Sequence, residues 1–269
     1  MTKERGTVSK VASVLSMEDP PWPPSVDEFF PPGLFGIPWL TKFALMTWLA
    51  VAVLIVFFLA AYRNPKIVPT RVQWLAEAIY SFNRDGVARE VIGHEGVRFG
   101  PYLATLFSFI ALTNLFSILP GLQVSPNAHI AYPIVLALIT YVLYFYWGIK
   151  RHGLGKYLKM NLFPANVPWP MYAILTPMEF ATLFVLRPFT LALRLFANMF
   201  AGHMMLLVFT LGGFVLLNAD ALFLKPVSLA SWAMAIALTI FETLIALLQA
   251  YVFVMLTSSY LQSSLSEEH

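Results

Sequence analysis

Between Gly96 and Ser266 the chain carries only three acidic residues, Glu179, Asp220 and Glu242. From Met160 onward it has only three Lys or Arg, namely Arg187, Arg194 and Lys225. Asp220 and Lys225 fall in a stretch that reads as a loop. Glu179, Arg187, Arg194 and Glu242, joined by His203, lie in or at the edge of two long apolar runs. A charge near a bilayer centre costs about 2.5–3.5 kcal/mol, so such residues pair with one another or mark an ion pathway. Both arrangements are open: Glu242 paired with Arg194 as a buried bridge, or a polar cluster lining a hydrated passage. Glu179 and Arg187 also suit a solvated helix end.

These residue types divide the chemistry between them. Arg does not lose its proton in a protein. Arg194 is therefore a poor proton carrier and a good electrostatic gate, attracting a passing carboxylate and favouring its ionised form. A histidine or a buried glutamate exchanges protons near neutrality, which suits His203 and Glu242 to a relay. Asn198 and Gln249 can only orient water or side chains. Thr190, Arg194 and Asn198 recur every four residues and share one helix face. His203, nine residues past Arg194, points to the opposite face about 13 Å farther along the axis. Glu242 and Gln249 are seven apart and share a face.

The elements that position these residues are membrane helices. Of 269 residues 59% are hydrophobic and 12% charged, against roughly 25% charged in soluble domains. An ordinary soluble enzyme, a disordered chain and a nucleic-acid binder are excluded; an all-α polytopic membrane protein remains. There is no Cys, hence no disulfide, no thiolate metal site and no cysteine nucleophile. No metal site and no cofactor are expected. Five segments are long enough to cross a bilayer: roughly 41–62, 99–119 and 129–149, with the fourth inside 175–217 and the fifth inside 229–261. The last two are too long for perpendicular spans and must tilt, bend or run partly along the interface. Residues 71–92 mix Trp74, Leu75, Ile79, Tyr80 and Phe82 with Arg71, Glu77, Arg84, Asp85, Arg89 and Glu90, the pattern of an amphipathic helix lying on the membrane surface. Residues 1–38, with six prolines from Pro20 to Pro32 and no signal-peptide pattern, read as an exposed tail. Residues 39–269 read as the integral membrane domain.

Positive charge alternates between loops. Arg63, Lys66, Arg71, Arg84, Arg89 and Arg98 occupy the first and Lys150, Arg151, Lys156 and Lys159 the third, while the second has none. The positive loops are expected inside, the N-terminus outside and the C-terminus cytoplasmic. There is no P-loop or glycine-rich nucleotide motif, so the chain is not expected to be an enzyme on its own.

The run Leu191-Ala192-Leu193-Arg194-Leu195-Phe196-Ala197-Asn198-Met199-Phe200-Ala201-Gly202 resembles the signature of the subunit a family of bacterial F-type ATP synthases. Leu248-Gln249-Ala250-Tyr251-Val252-Phe253 and the stretch from Asn114-Leu115 to Leu119-Pro120 are also similar to that family. The resemblance implies a proton-translocating stator of the Fo motor in the bacterial cell membrane. Its partners would be the carboxylate-bearing c-ring, the peripheral-stalk b subunits, the F1 sector through that stalk, and membrane lipid. Arg194 would match the family's essential arginine, separating two offset half-channels. Asn198, His203, Glu242 and Gln249 would line the outer one, and Glu179, Arg187 and Thr190 would begin the cytoplasmic one. Some members place a Glu after Ala-Gly and a His on the last helix; here His203 and Glu242 exchange those positions. Some members also have an acid where this chain has Ser117. The alternative is a stand-alone ion channel or secondary transporter, which would show internal repeats; none is evident.

Overall fold

A computed structural model describes residues 41–119, 125–163, 171–218 and 222–266. The Pro-rich tail expected at 1–38 lies outside these residues, as does Asp220. Among the described residues there are helices and no strands. In chain order they are α1 (Lys42–Tyr62), α2 (Arg71–Ser81), α3 (Gly100–Leu115), α4 (Ala131–His152), α5 (Leu154–Leu162), α6 (Tyr172–Ala181), α7 (Arg187–Asn218) and α8 (Lys225–Leu265). Short 3₁₀ turns and two π-helical stretches join them. Five segments are long and apolar enough to cross a membrane, Lys42–Tyr62, His94–Leu115, Ala131–His152, Tyr172–Asn218 and Lys225–Leu265, and their places match the five expected spans.

Local chemistry sets the ends. Thr41 caps α1 by accepting from the Ala44 N–H, and Thr70 caps α2 by accepting from the Gln73 N–H. Pro101 sits in the first turn of α3, where its missing N–H is harmless. Gly153, with φ of 78°, lets α4 stop and α5 begin at once. Lys150, Arg151 and His152 crowd the last turn of α4, where cations suit the negative end of the helix dipole. Arg151 pairs with Glu95, and Arg98 lies 4.3 Å above the Trp147 ring, tying that end of α4 to the segment before α3.

The amphipathic stretch expected over 71–92 is α-helical only to Ser81 and π-helical from Phe82 to Ile92. The wider turn follows from tertiary packing: Asn83, Val87 and Ala88 are buried against the core while Arg84, Asp85, Arg89 and Glu90 remain exposed. The fourth span carries Pro177 inside α6 and a second π-helical stretch, Thr182–Leu186, just before Pro188. Pro188 has no N–H to complete the ladder there, which favours an irregular turn at that point.

The core is where α3, α4, α7 and α8 meet, around Leu103, Ile110, Tyr144, Leu191, Leu195, Phe253 and Leu261. The α7–α8 pair is pinned near its connecting loop, where Ser228 Oγ donates to Gly213 O (2.7 Å) and Ser231 Oγ donates to Phe209 O (2.7 Å). A side chain at Gly213 would collide with Trp232, so the absent Cβ is what lets the two helices close up. On the far side, α5 folds back until Tyr157 packs under Gly148 of α4. Burial pushes the Tyr157 phenol up to about 12, the Arg187 cation opposing the shift.

Candidate functional site

The inward stripe of α7 is Leu191, Ala192, Leu195 and Met199, all buried. Arg194 is set by helix geometry on the other side and is exposed. Among the described residues no carboxylate lies within ion-pairing distance of it. The bridge between Arg194 and Glu242 that the sequence left open is therefore not formed. Both groups could not serve it, because one faces out of the bundle and the other into it.

Glu242 is 4% exposed, on the inner face of α8. Its Oε1 accepts from Ser117 Oγ at 3.2 Å, across from the turn that ends the second span. The same hydroxyl lies 2.8 Å from the Asn114 carbonyl. Having a single hydrogen, Ser117 donates to the carboxylate or to that carbonyl, not both. Glu242 fits because the facing residue of α7 is Gly202: a Cβ there would stand 3.1 Å from Oε1 and 3.2 Å from Cδ of the carboxyl. The glycine of the arginine signature thus makes room for the acid of the last helix. Glu242 Oε2 is buried without a protein partner among the described residues. Ser117, which stands where some members of the resembling family have an acid, places a hydroxyl within bonding distance of the acid supplied by α8.

One turn farther along α8, Ala246 O accepts from Asn114 Nδ2 at 3.2 Å. Asn114 Oδ1 in turn accepts from Asn127 Nδ2 at 2.7 Å, and Thr113 Oγ1 accepts from the same amide at 2.8 Å. Asn127 comes from the short turn Pro126–Ala128, shaped by Ser125 Oγ accepting from its backbone N–H. All four polar side chains are buried. Next along α8, Gln249, 4% exposed, accepts at Oε1 from Asn198 Nδ2 at 2.6 Å, and its Nε2 has no protein partner among the described residues. Asn198 is thus turned toward α8, away from Arg194's outward direction. His203 follows Gly202 on α7 and is half-buried. Glu242, Ser117, Asn114, Asn127, Gln249 and Asn198 form a polar seam where α3, α7 and α8 meet; buried amides and carboxyls aligned in this way hold and orient water and protons.

The remaining expected residues lie apart. Glu179 on α6 and Arg187 at the start of α7 are half-buried and form no ion pair among the described residues. Arg187 stacks over the Tyr260 ring at 5.5 Å. Thr190 is exposed, and its hydroxyl donates back to Leu186 O at 2.6 Å. Sequence reasoning did not pick out Asn127, Thr113 or Ser125; a turn residue carries no periodic signal, and the buried asparagines became visible only through their long-range bonds. Among the described residues no cluster of His, Asp and Glu suits a metal ion.

A polytopic helical membrane protein with an exposed arginine on a long apolar helix beside a buried acid–amide seam is a narrow class, and comparison with known proteins narrows it further. Residues 44–262 match the family described as ATP synthase A chain. A protein of Nocardioides sp. named "ATP synthase subunit a" is 42% identical over 230 residues, covering 86% of this chain and 83% of that protein. One of Rhodococcus erythropolis with the same name is 41% identical over 260 residues, 91% of each chain. One of Hyphomonas neptunium, also so named, is 42% identical over 218 residues, 81% of this chain and 83% of the other. The chain belongs to the ATP synthase A chain family.

Proposed function

We propose that the chain is the proton-translocating stator subunit of the Fo motor of a bacterial ATP synthase. It would sit in the cell membrane with its N-terminus outside and its C-terminus cytoplasmic. The observation that carries this is Arg194, an exposed guanidinium with no ion pair among the described residues, on a stretch of α7 whose exposed residues include the large apolar Phe189, Leu193 and Met205. Facing lipid alone, such a charge costs about 2.5–3.5 kcal/mol. A rotor ring that presents carboxylates to this face would remove that cost. Names of relatives such as "ATP synthase subunit a" point the same way.

In this reading Arg194 holds the arriving ring carboxylate ionised and closes the direct route between two half-channels. The seam of Glu242, Ser117, Asn114, Gln249 and Asn198, with His203 beyond it, is the outer half-channel. A proton reaching Glu242 passes along the amide-lined stretch toward the ring. Glu179, Arg187 and Thr190 mark the cytoplasmic half-channel. Each elementary charge crossing the membrane supplies about 2.3 kcal/mol per 100 mV, so torque accumulates over several ring carboxylates. The chain performs no bond chemistry itself. Peripheral-stalk b subunits hold it fixed against F1.

The test is Arg194→Ala in the assembled complex, read by ATP-driven acidification of inverted vesicles. Pumping is expected to vanish while the complex still purifies intact; normal pumping would refute the gate.

A further inference from the structure

The turn before α4 is fastened to the bundle by three consecutive residues. Asn127 bonds to α3, and Ala128 packs with Met199 of α7 and Ala246 of α8. The His129 ring centre lies 5.6 Å from that of Phe43, which with Ala50 and Ala61 is all that α1 buries. The turn closes on its own backbone. Ser125 Oγ accepts from the Asn127 N–H, the Ala128 N–H donates to Ser125 O at 3.1 Å, and the His129 N–H donates to Pro126 O at 3.0 Å. The Asn127 side chain is therefore not needed to shape the turn, yet it is 1% exposed.

Both hydrogens of Asn127 Nδ2 are given away, one to Thr113 Oγ1 at 2.8 Å and one to Asn114 Oδ1 at 2.7 Å. Thr113 spends its own hydroxyl hydrogen on its helix, at Phe109 O or Ile110 O, which leaves it an acceptor. Asn127 Oδ1 is buried without a protein partner among the described residues. What the amide contributes here is its two donors. The two ends of an asparagine amide are alike in size and are told apart by their partners. With Oδ1 engaged by Asn127, Asn114 turns Nδ2 to Ala246 O at 3.2 Å. Reversed, Asn114 would set its oxygen against the Ala246 oxygen and its NH₂ against that of Asn127. Asn127 thus decides which way Asn114 faces.

The consequence reaches Glu242. Ala246 lies one turn from Glu242 on α8, and Asn114 lies about one turn from Ser117. The Asn114–Ala246 and Ser117–Glu242 contacts are therefore successive cross-links between the same two elements, each 3.2 Å long. For two oxygens that is already beyond the usual range of about 2.5–3.0 Å, so a small retreat of α8 loses the second contact. Given the outer half-channel proposed above, we propose that Asn127 is a positioning residue for it. Its two donors orient Asn114, Asn114 seats α8 at Ala246, and that seat keeps Glu242 within reach of Ser117.

The test uses the assembled complex in inverted vesicles, with ATP-driven acidification as the rate. Asn127→Leu should slow pumping by about two- to tenfold, the worth of the one contact it acts through. In an Asn114→Leu background the same substitution should slow it no further. A side chain that only braced the turn would lower the rate in both backgrounds. Asn127→Asp keeps the shape, loses both donors and should slow pumping at least as much. Infrared difference spectra give a second readout: the carboxyl band assigned by its loss in Glu242→Gln should move in Asn127→Leu as it does in Ser117→Ala, whereas bracing of the turn would leave it in place. Parent rates in both Asn127 variants, losses that add to those of Asn114→Leu, an unmoved carboxyl band, or failure of both variants to assemble would each overturn the proposal. Arg194→Ala in the same vesicles separates it from the stator reading. Normal pumping by that variant sinks the stator reading, while a silent Arg194→Ala beside a normal Asn127→Leu refutes the role of Asn127 alone.

Discussion

The Asn198–Gln249 bond allows stability and transport to be separated. The bond is 2.6 Å long and joins α7 to α8 where Gln249 is 4% exposed. Replacing Asn198 with Leu removes one partner and leaves the Gln249 carbonyl oxygen buried and unmet. A buried polar group left in that state costs about 1–3 kcal/mol. Replacing both residues with Leu removes the unmet group as well, and such paired apolar exchanges are close to neutral. It also deletes Gln249 Nε2, which has no protein partner among the described residues, so nothing is lost at that atom. At roughly 2–4 °C per kcal/mol for a chain of about this size, Asn198→Leu should lower the release temperature of the subunit by several degrees. The double variant should recover most of that loss. Transport behaves oppositely: both variants take the Asn198 amide out of the lining, and ATP-driven proton pumping should fall in both. Release temperature is followed by heating the purified complex and assaying retained subunit by gel; pumping is followed by fluorescence quenching in inverted vesicles. A double variant as labile as the single one would refute the energetic reasoning. A stable double variant that pumps normally would take the pair out of the pathway.

Ser117→Ala removes the hydroxyl within hydrogen-bonding reach of Glu242; such a bond is worth about 0.5–1.5 kcal/mol net, so pumping should slow by roughly two- to tenfold. Ser117→Thr, which keeps the hydroxyl, should stay near the parent rate in the same assay, and equal rates for all three would dismiss the contact. Burial holds the Tyr157 phenol up to about 12, above its ordinary value near 10. The stability tied to its neutral form is therefore complete below about pH 10 and fades as pH rises toward about 12. The tyrosinate absorbance difference between the parent and Tyr157→Phe should titrate near the higher value; a midpoint near pH 10 would show an open α4–α5 contact.

Much of this architecture was legible in the sequence because lipid imposes composition directly. The five spans, the excess length of the last two and the outward and inward faces around Arg194 follow from apolar runs and from the 3.6-residue period. The shared face of Glu242 and Gln249 was equally readable, and both proved buried. The partners of those residues were not. Ser117 and Glu242 are 125 positions apart, and only helix packing brings them together. Asn127 lies in a turn, where no period marks a residue as buried. Asn198 shares a helix face with Arg194 by spacing, yet at its edge the amide can turn to α8 while the guanidinium turns out. The π-helical stretch at Phe82–Ile92 is a response to packing against the core and has no local signature.

The sparse packing of α1 bears on how its sequence can vary. Where Leu45, Trp48, Leu49 and Val53 are exposed, the surrounding solvent is hydrocarbon, which asks for apolar surface and is indifferent to shape. Those positions can exchange Leu, Ile, Val and Phe at little cost. Ala50, fully buried, has no such freedom, since an added methylene there must displace a neighbour. Drift in this helix is thus confined by composition on one side and by volume on the other. Two proteins that share the bundle can differ widely along α1 while keeping the same small residue at its point of contact.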